Sequence, residues 1–455
     1  MSRKKIVLIL FCTAVLSALF LGWRTFGQSL SVGGDEVQYN YLANNILKQS
    51  KFAAGGGDIW ATSEPLYPLF LAGVYVLFGK DNFNAVRAIQ MLLFSGTILF
   101  IYLIAERLVN RKLAFWSGFL SAFFFPLAMS AGRLLKEVLF TFLVVLFIYL
   151  LYKIQETLKL KWFAAGGLVL GLVVLTNAIM EFFIILVLVG WIFIWQKDFF
   201  KKENLFKVVI FILCFILMIS AWFLISSNQD GIKSFNAKSG GALSRRAEMM
   251  ESIRGQRYLR HLGGQIFGYY FFETEGFNPS EFLGHAQTNK KVSQMLAGGD
   301  SVDQINKKLA QESLSTITKN IPQYFAISFL DFLQFNGPML PGLKNLEAGP
   351  MQNLFINNSH AGMPSYLKVI ILIFLRVLYW LFFCLVIYGL TRMFKDSHRF
   401  FWIILIILYF NIVYSAIFGI PRYAVPIYPF YIMALVFGVF NLLDKLKLKY
   451  VRHSR

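Results

Sequence analysis

Charged residues are scarce in this chain of 455 residues: 15% are charged, whereas 57% are hydrophobic. In soluble globular proteins, about a quarter of the residues are charged. The apolar residues are gathered in long blocks, and blocks of this length are typical of helices that span a membrane. The scarcity of charge therefore favours an integral membrane protein over a soluble protein with one large core.

Cysteine and histidine are also rare, with three and five residues respectively. Cys12, Cys214 and Cys384 lie in separate apolar blocks, so their spacing excludes the usual metal and redox motifs. The sequence shows no histidine cluster and no internal repeat of the kind found in many transporters. We therefore expect no cofactor, although a divalent metal held between carboxylates stays an unsupported alternative.

Acidic residues are outnumbered by basic ones, which gives a net charge of +20. The basic residues lie at the ends of the apolar blocks, which indicates membrane topology and contact with anionic lipid rather than nucleic-acid binding. The blocks predict an all-α polytopic membrane protein with about ten transmembrane helices. These lie near 5–23, 85–108, 113–130, 134–153, 161–179, 181–196, 205–225, 367–390, 398–418 and 424–443.

The connections between these helices alternate in charge. If the N-terminus is cytoplasmic, every cytoplasmic connection is rich in Lys and Arg, as the positive-inside rule requires. We therefore predict cytoplasmic N- and C-termini in a plasma membrane, in particular a bacterial inner membrane. The predicted domains are a catalytic transmembrane module (1–225) with a first outer loop (24–84), an outer-face helical segment (226–366), and C-terminal helices with a basic tail (367–455).

The first outer loop carries two acidic residues where a helix is predicted to begin. Asp35 and Glu36 precede Tyr39 and further apolar residues at helical spacing, which predicts an amphipathic helix in the membrane interface. Helix capping alone would also explain acids at this position. A second interfacial helix is predicted between Pro65 and Gly79, because proline suits the first turn of a helix and glycine suits its end.

Two predicted outer turns carry basic residues, which are rare in short turns on that side of a membrane. Arg133 and Lys136 precede Glu137 at the start of the helix near 134–153, and Arg422 precedes Tyr423 before the last helix. Snorkelling of the cations to lipid headgroups is one explanation. The other is that cations at helix starts bind a phosphate.

Carboxylates and cations are thus predicted on one face of the membrane, and a transferase with a lipid-phosphate donor needs both. Cations would hold the donor phosphate and stabilise the leaving charge, and a carboxylate would take the proton from the acceptor hydroxyl. We assign catalysis to Asp35, Glu36 and Glu137, donor-phosphate binding to Arg133, Lys136 and Arg422, and substrate-lining positions to Tyr39, Glu64, Tyr67 and Tyr423.

The order of these motifs resembles that of the GT-C integral-membrane glycosyltransferases, in particular the branch of protein O-mannosyltransferases and the aminoarabinose transferase of lipid A. The resemblance is carried by Asp35-Glu36 with Tyr39, the 42–47 helix, Pro65-Leu66-Tyr67-Pro68, Lys136-Glu137, Leu175-Thr176-Asn177, Trp222 and Arg422-Tyr423. It implies a GT-C-like architecture with an outward-facing site under the first outer loop. It also implies a polyprenyl-phosphate sugar donor, inversion at the anomeric carbon, and Asp35 as the catalytic carboxylate.

The sequence therefore predicts an inverting glycosyltransferase that moves a monosaccharide from a polyprenyl phosphate to a hydroxyl of an outer-face lipid, glycan or protein. Asn177 and Ser220-Ala221 stand where relatives commonly have an Arg and a Pro, which leaves the sugar and the acceptor open. The alternatives are a ligase-type transferase that uses a polyprenyl-diphosphate-linked glycan, and a lipid or polysaccharide flippase. A flippase should carry charges near the membrane midplane. The only clear mid-block acid is Glu181, which by the predicted topology lies near the outer face, and this favours a site at the surface over a conduit.

Overall fold

The structure is a computed structural model that describes residues 2–22, 34–49, 64–227, 239–268, 286–338 and 365–453. Within these ranges the chain is helical and contains no β-strand. Residues 23–33 and 50–63 of the predicted first outer loop lie outside the described residues. The same holds for residues 228–238, 269–285 and 339–364 of the predicted outer-face segment.

The described helices fall into two groups along the chain. The first group is α1 (Arg3–Gly22), α2 (Asp35–Gln49), α3 (Leu66–Phe78), α4 (Phe83–Leu108), α5 (Arg111–Phe123), α6 (Phe125–Ser130), α7 (Glu137–Thr157), α8 (Leu160–Thr176), α9 (Phe183–Trp195) and α10 (Lys202–Ser227). The second group is α11 (Ser239–Ser252), α12 (Gln256–Phe267), α13 (Ala286–Ala297), α14 (Val302–Lys319), α15 (Ile321–Phe335), α16 (Ser365–Phe394), α17 (Ser397–Ile417) and α18 (Tyr428–His453).

Eight helical stretches of the described residues are long and apolar enough to cross a membrane. Four of them are α1, α4, α7 and α17, and two more are parts of α10 and α16. The other two are Ala178–Phe200, which contains α9, and Pro421–Leu446, which contains most of α18. Such a set of apolar helices confirms an all-α multi-pass membrane protein.

Two of the ten predicted spans are shorter in the structure. The span predicted near 113–130 is divided at Phe124, because Pro126 lacks an N–H and its ring would clash with the preceding helical turn. The span predicted near 161–179 becomes α8, which has 17 residues and ends where Asn177 adopts an extended conformation. Eight longer stretches and these two shorter regions agree roughly with about ten spans.

Helix ends that are predicted to lie on the same side of the membrane meet in the structure. Glu106 near the end of α4 forms ion pairs with Arg3 of α1 at 2.9 Å and with Arg111 of α5 at 3.1 Å. Gln155 near the end of α7 accepts a hydrogen bond of 3.0 Å from Trp402 of α17. These contacts bring the start of α1, the end of α4 and the start of α5 together, and the end of α7 to the start of α17.

The chain forms two compact units. The first contains residues 1–232, 385–409 and 425–455, and the second contains residues 233–384 and 410–424. A cluster of buried apolar side chains from α11, from the residue that follows it and from α15 forms a core in the second unit: Met249, Met250, Ile253, Ile327 and Leu330. In the same unit the start of α14 is fixed by a capping box between Ser301 and Gln304.

Candidate active site

The predicted acidic pair lies in the first turn of α2, in the first unit. Gly34 precedes it with φ of +91°, a conformation that favours glycine, and α2 begins at Asp35. Glu36 is buried, and its Oε1 accepts hydrogen bonds from Arg133 Nε at 2.6 Å and from the Leu134 amide at 3.1 Å. Asp35 is half-buried. The structure thus holds Glu36 against the turn after α6 and leaves its neighbour more accessible.

The turn that binds Glu36 is itself held by two buried polar residues of α4. Gln90 donates hydrogen bonds to the carbonyls of Ala131 at 3.1 Å and Arg133 at 2.7 Å. Arg87 donates from Nε to the carbonyl of Gly132 at 3.2 Å. Both side chains are buried, so the conformation of this turn depends on the helix beneath it. We define residues 131–136 as the cationic turn.

Arg87 and Gln90 were not predicted as site residues, although the sequence contained a signal for them. They are polar residues one helical turn apart within an apolar block of spanning length. Polar side chains within such blocks are rare because they are costly to bury in a membrane, and they usually face the protein interior. The predicted site residues lie at helix ends and in loops, whereas these two lie inside α4.

Two tyrosines predicted to line the site pack beside this turn. The Tyr67 hydroxyl donates a hydrogen bond of 2.8 Å to Gln90 Oε1, and its ring packs edge-to-face against Tyr39 with centroids 4.9 Å apart. Burial raises the pKa of Tyr67 well above its usual value, and the charges of Glu137 and Glu36 raise it further. Tyr67 therefore stays protonated and acts as a hydrogen-bond donor.

A second ion pair connects the cationic turn to the start of α3. Lys136 Nζ lies 3.1 Å from Glu64 Oε1, and both side chains are largely buried. Glu137 follows directly as the first residue of α7, where an acid is favoured by the helix dipole, and it is also buried. The structure thus brings together predicted catalytic and donor-binding residues from three separate parts of the first unit.

Arg422 and Tyr423 belong to the second unit, within a 3₁₀ helix that spans Pro421–Ile427. The Tyr423 ring stacks on Tyr414 with centroids 5.0 Å apart, and it meets Phe418 edge-to-face at 6.2 Å. The Arg422 guanidinium lies 5.7 Å from the centre of the Tyr423 ring. The predicted cation and tyrosine are thus part of one aromatic cluster at the end of α17.

Within the described residues, no three His, Cys, Asp or Glu side chains lie close enough together to hold a metal ion. Carboxylates occur at the site as members of ion pairs instead, as the Glu36–Arg133 and Glu64–Lys136 contacts show. That the protein needs no metal therefore stays a prediction from the sequence.

Comparison with protein families finds one match. The family model described as dolichyl-phosphate-mannose-protein mannosyltransferase matches residues 62–222, which include the cationic turn, Glu64, Tyr67 and Glu137. A comparison with curated proteins finds no matching sequence. The match confirms the resemblance to GT-C glycosyltransferases over this part of the chain.

The fold is similar to that of a solved oligosaccharyltransferase. The oligosaccharyltransferase of Archaeoglobus fulgidus tethered to an acceptor peptide with an NVT sequon has a TM-score of 0.51 at 14% identity, covering 98% of this chain and 51% of that one. This chain therefore spans about half the length of that protein. ArnT from Cupriavidus metallidurans bound to undecaprenyl phosphate is also similar, with a TM-score of 0.39 at 12% identity, covering 96% of this chain and 77% of that one.

Proposed function

We propose that the protein is an inverting glycosyltransferase that moves a monosaccharide from a polyprenyl phosphate to a hydroxyl of an outer-face acceptor. The observation that carries the proposal is the Glu36–Arg133 ion pair, which joins the start of α2 to the cationic turn. The pair supports a site in which Asp35, the neighbour of Glu36, is the candidate base and the cations of the turn bind a phosphate. The family match over the cationic turn supports a sugar donor linked to a lipid phosphate.

Asp35 is the proposed general base because it is the more accessible of the two acids at the start of α2. It takes the proton of the acceptor hydroxyl while the hydroxyl oxygen forms a bond to the anomeric carbon. The bond from that carbon to the phosphate oxygen breaks, and its electron pair leaves on the phosphate. Attack opposite to the leaving phosphate inverts the anomeric centre. Glu36 and Glu137 orient the base or the acceptor.

The proposed donor-binding residues of the first unit are Lys136 and Arg133, and Arg422 of the second unit stays a prediction from the sequence for the same role. Carboxylates neutralise the first two in the structure, at 3.1 Å and 2.6 Å. These pairs keep the cations in place before the donor arrives. The phosphate then gains negative charge as the glycosidic bond breaks, and fixed cations stabilise that charge. Tyr39, Glu64 and Tyr67 are the proposed lining of the site in the first unit, and Tyr423 of the second unit stays a prediction from the sequence.

The proposed location is a bacterial inner membrane, with both termini in the cytoplasm and the site on the outer face. Its partners are the polyprenyl-phosphate sugar, an outer-face acceptor and the surrounding lipids. Basic residues at the predicted cytoplasmic ends support this orientation. Labelling of an Asp81→Cys variant in intact cells would check this orientation. Asp81 lies in the turn between α3 and α4, which is proposed to face outward, so we expect the cysteine to be labelled from outside.

The function is tested with purified protein in lipid vesicles and a radiolabelled sugar on polyprenyl monophosphate, with cell-envelope lipid extract as acceptor. We expect release of free polyprenyl phosphate and transfer of the label with inverted configuration. Consumption of a polyprenyl-diphosphate glycan alone would favour the ligase-type alternative. Movement of lipid-linked sugar between leaflets without bond cleavage would favour a flippase.

The role of Asp35 is tested by the Asp35→Asn variant in the same assay. Loss of a general base lowers the rate by about 10²- to 10⁴-fold, and we expect a loss of transfer in that range with donor binding kept. Asp81→Asn is the matched control, since Asp81 has φ of +55°, which asparagine tolerates, and lies outside the site. Transfer at the wild-type rate by Asp35→Asn would remove Asp35 from this role.

A further inference from the structure

The second unit contains an ion pair that no water reaches. Arg246 of α11 and Asp331 of α15 approach to 2.6 Å between Nη2 and Oδ2, and both side chains have 0% of their surface exposed. Two other ion pairs among the described residues of this unit, Lys291–Glu312 and Lys308–Asp300, are exposed by comparison. Neither residue belongs to the set that the sequence predicts for the site.

Both partners of this pair also bind the backbone near the end of α17. Arg246 Nη2 donates to the carbonyl of Ser415 at 2.7 Å, and Asp331 Oδ1 accepts from the amide of Gly419 at 3.2 Å. The Tyr324 hydroxyl donates to the next carbonyl, that of Ala416, at 3.0 Å. The last carbonyls of a helix have no partner within the helix, so the side chains of α11 and α15 supply donors for them.

The segment that these contacts hold is residues 415–423, which we call the 415–423 segment. Gly419 packs so closely on α15 that a Cβ there would overlap the carbonyl of Asp331. Phe418 and Tyr423 of this segment pack against each other, and Arg422 lies over the Tyr423 ring. The buried pair is therefore attached to the backbone that carries the proposed donor-binding cation.

The pair is poorly arranged for stabilising the fold. Among the described residues, Arg246 Nε and Nη1 are buried without a hydrogen-bond partner. Burial raises the pKa of Asp331 to about 7, although Arg246 and the Gly419 amide oppose that rise. Replacing a buried ion pair by apolar residues of similar size is often neutral or stabilising. The charges thus contribute a fixed geometry of the 415–423 segment rather than net stability.

We propose that Arg246 and Asp331 are positioning residues that fix the 415–423 segment so that Arg422 can bind the donor phosphate. The expected change in donor KM rests on the proposed function. The expected change in hydrogen exchange of the 415–423 segment does not. Because the pair binds the backbone on both sides of the turn after α17, its loss frees the turn while α11 and α15 stay packed.

The double variant Arg246→Met/Asp331→Leu tests the proposal, because it removes both charges and leaves none unpaired. We expect hydrogen exchange in the 415–423 segment to become at least tenfold faster, while exchange in α11 and the first turns of α15 stays as in the wild type. In the transfer assay we expect the donor KM to rise about tenfold, with kcat and the acceptor KM within twofold of the wild type.

The control is Lys291→Gln/Glu312→Gln, which removes an exposed ion pair of the same unit, 3.4 Å long, and should change none of these quantities. Unchanged exchange in the 415–423 segment of a folded Arg246→Met/Asp331→Leu protein would overturn the positioning role. Faster exchange in the variant, together with a wild-type protein that transfers no sugar, would overturn the proposed function and leave the positioning role standing. Faster exchange with an unchanged donor KM would overturn the link to Arg422.

Discussion

The cationic turn of the first unit and the 415–423 segment of the second are held by ion pairs of different kinds. Arg133, in the pair with Glu36, keeps a third of its side chain exposed, whereas Arg246 and Asp331 are fully enclosed. A partly exposed pair can exchange its carboxylate for another anion, because water and ligands reach it. An enclosed pair cannot, so it can only fix geometry. Arg133 is therefore open to a ligand, whereas Arg246 is not.

Among variants that compare the two regions, we expect Arg246→Met alone to cause the largest loss in free energy of unfolding. This change leaves the Asp331 carboxylate buried without its partner, and such a loss typically destabilises a protein by about 3–5 kcal/mol. Thermal unfolding in detergent measures the change. The Arg246→Met/Asp331→Leu protein should recover most of it, and a double variant as unstable as the single one would contradict the buried-charge explanation.

A somewhat smaller effect is expected from Gln90→Leu under the cationic turn. The substitution removes the partners of the Tyr67 hydroxyl and of the Ala131 and Arg133 carbonyls. A buried polar group without a partner costs about 1–3 kcal/mol, so we expect a loss of about 2–4 kcal/mol in unfolding measurements, together with reduced transfer. Ser95→Ala on the same helix removes only a bond to its own helix and should cost less than 1 kcal/mol.

Arg422→Ala should act mainly on the donor. Since Arg422 is proposed to hold the phosphate, we expect the donor KM to rise about tenfold, equal to about 1.4 kcal/mol, while the acceptor KM changes little. Steady-state kinetics with each substrate varied separately measure both constants. An equal rise in the two values would argue against phosphate binding by Arg422 and would weaken the assignment of the 415–423 segment to the donor.

The smallest effect is expected at exposed pairs away from both regions. Lys308 and Asp300 approach to 2.7 Å, and the Lys308 side chain is about half exposed. Exposed ion pairs contribute about 0–1 kcal/mol, so Lys308→Gln should leave transfer unchanged and alter stability by less than about 1 kcal/mol. A larger loss would show that exposure is a poor guide to which ion pairs matter here.

Several local features of the fold could be predicted from the sequence because their causes are local. The start of α2 at Asp35 and the end of α3 before Gly79 follow from acids, proline and glycine that act within one helical turn. The bounds of α14 follow from its amphipathic pattern and capping box. The division of the span near 113–130 also has a local cause, which is Pro126. It was not predicted, because the apolar block is long enough for one continuous span.

The partners of the predicted charges could not be predicted in this way. Glu36 and Arg133 stand in different loops, and the sequence indicates only that both lie on one side of the membrane. Which carboxylate meets which cation depends on how α2, α3 and α4 pack. The same holds for Arg246 and Asp331, whose polar character alone suggests exposed helix faces and gives no hint of complete burial.

The sequence by itself determined that this chain is a multi-pass helical membrane protein with acids and cations at particular helix starts. Hydropathy and the placement of charged residues can be read along the chain, because they depend on neighbouring residues and on the side of the membrane that each connection faces. Only the tertiary structure decided that Gln90 and Arg87 support the cationic turn and that an enclosed ion pair holds the 415–423 segment. Those contacts join side chains distant in sequence, and their geometry arises from the packing of whole helices.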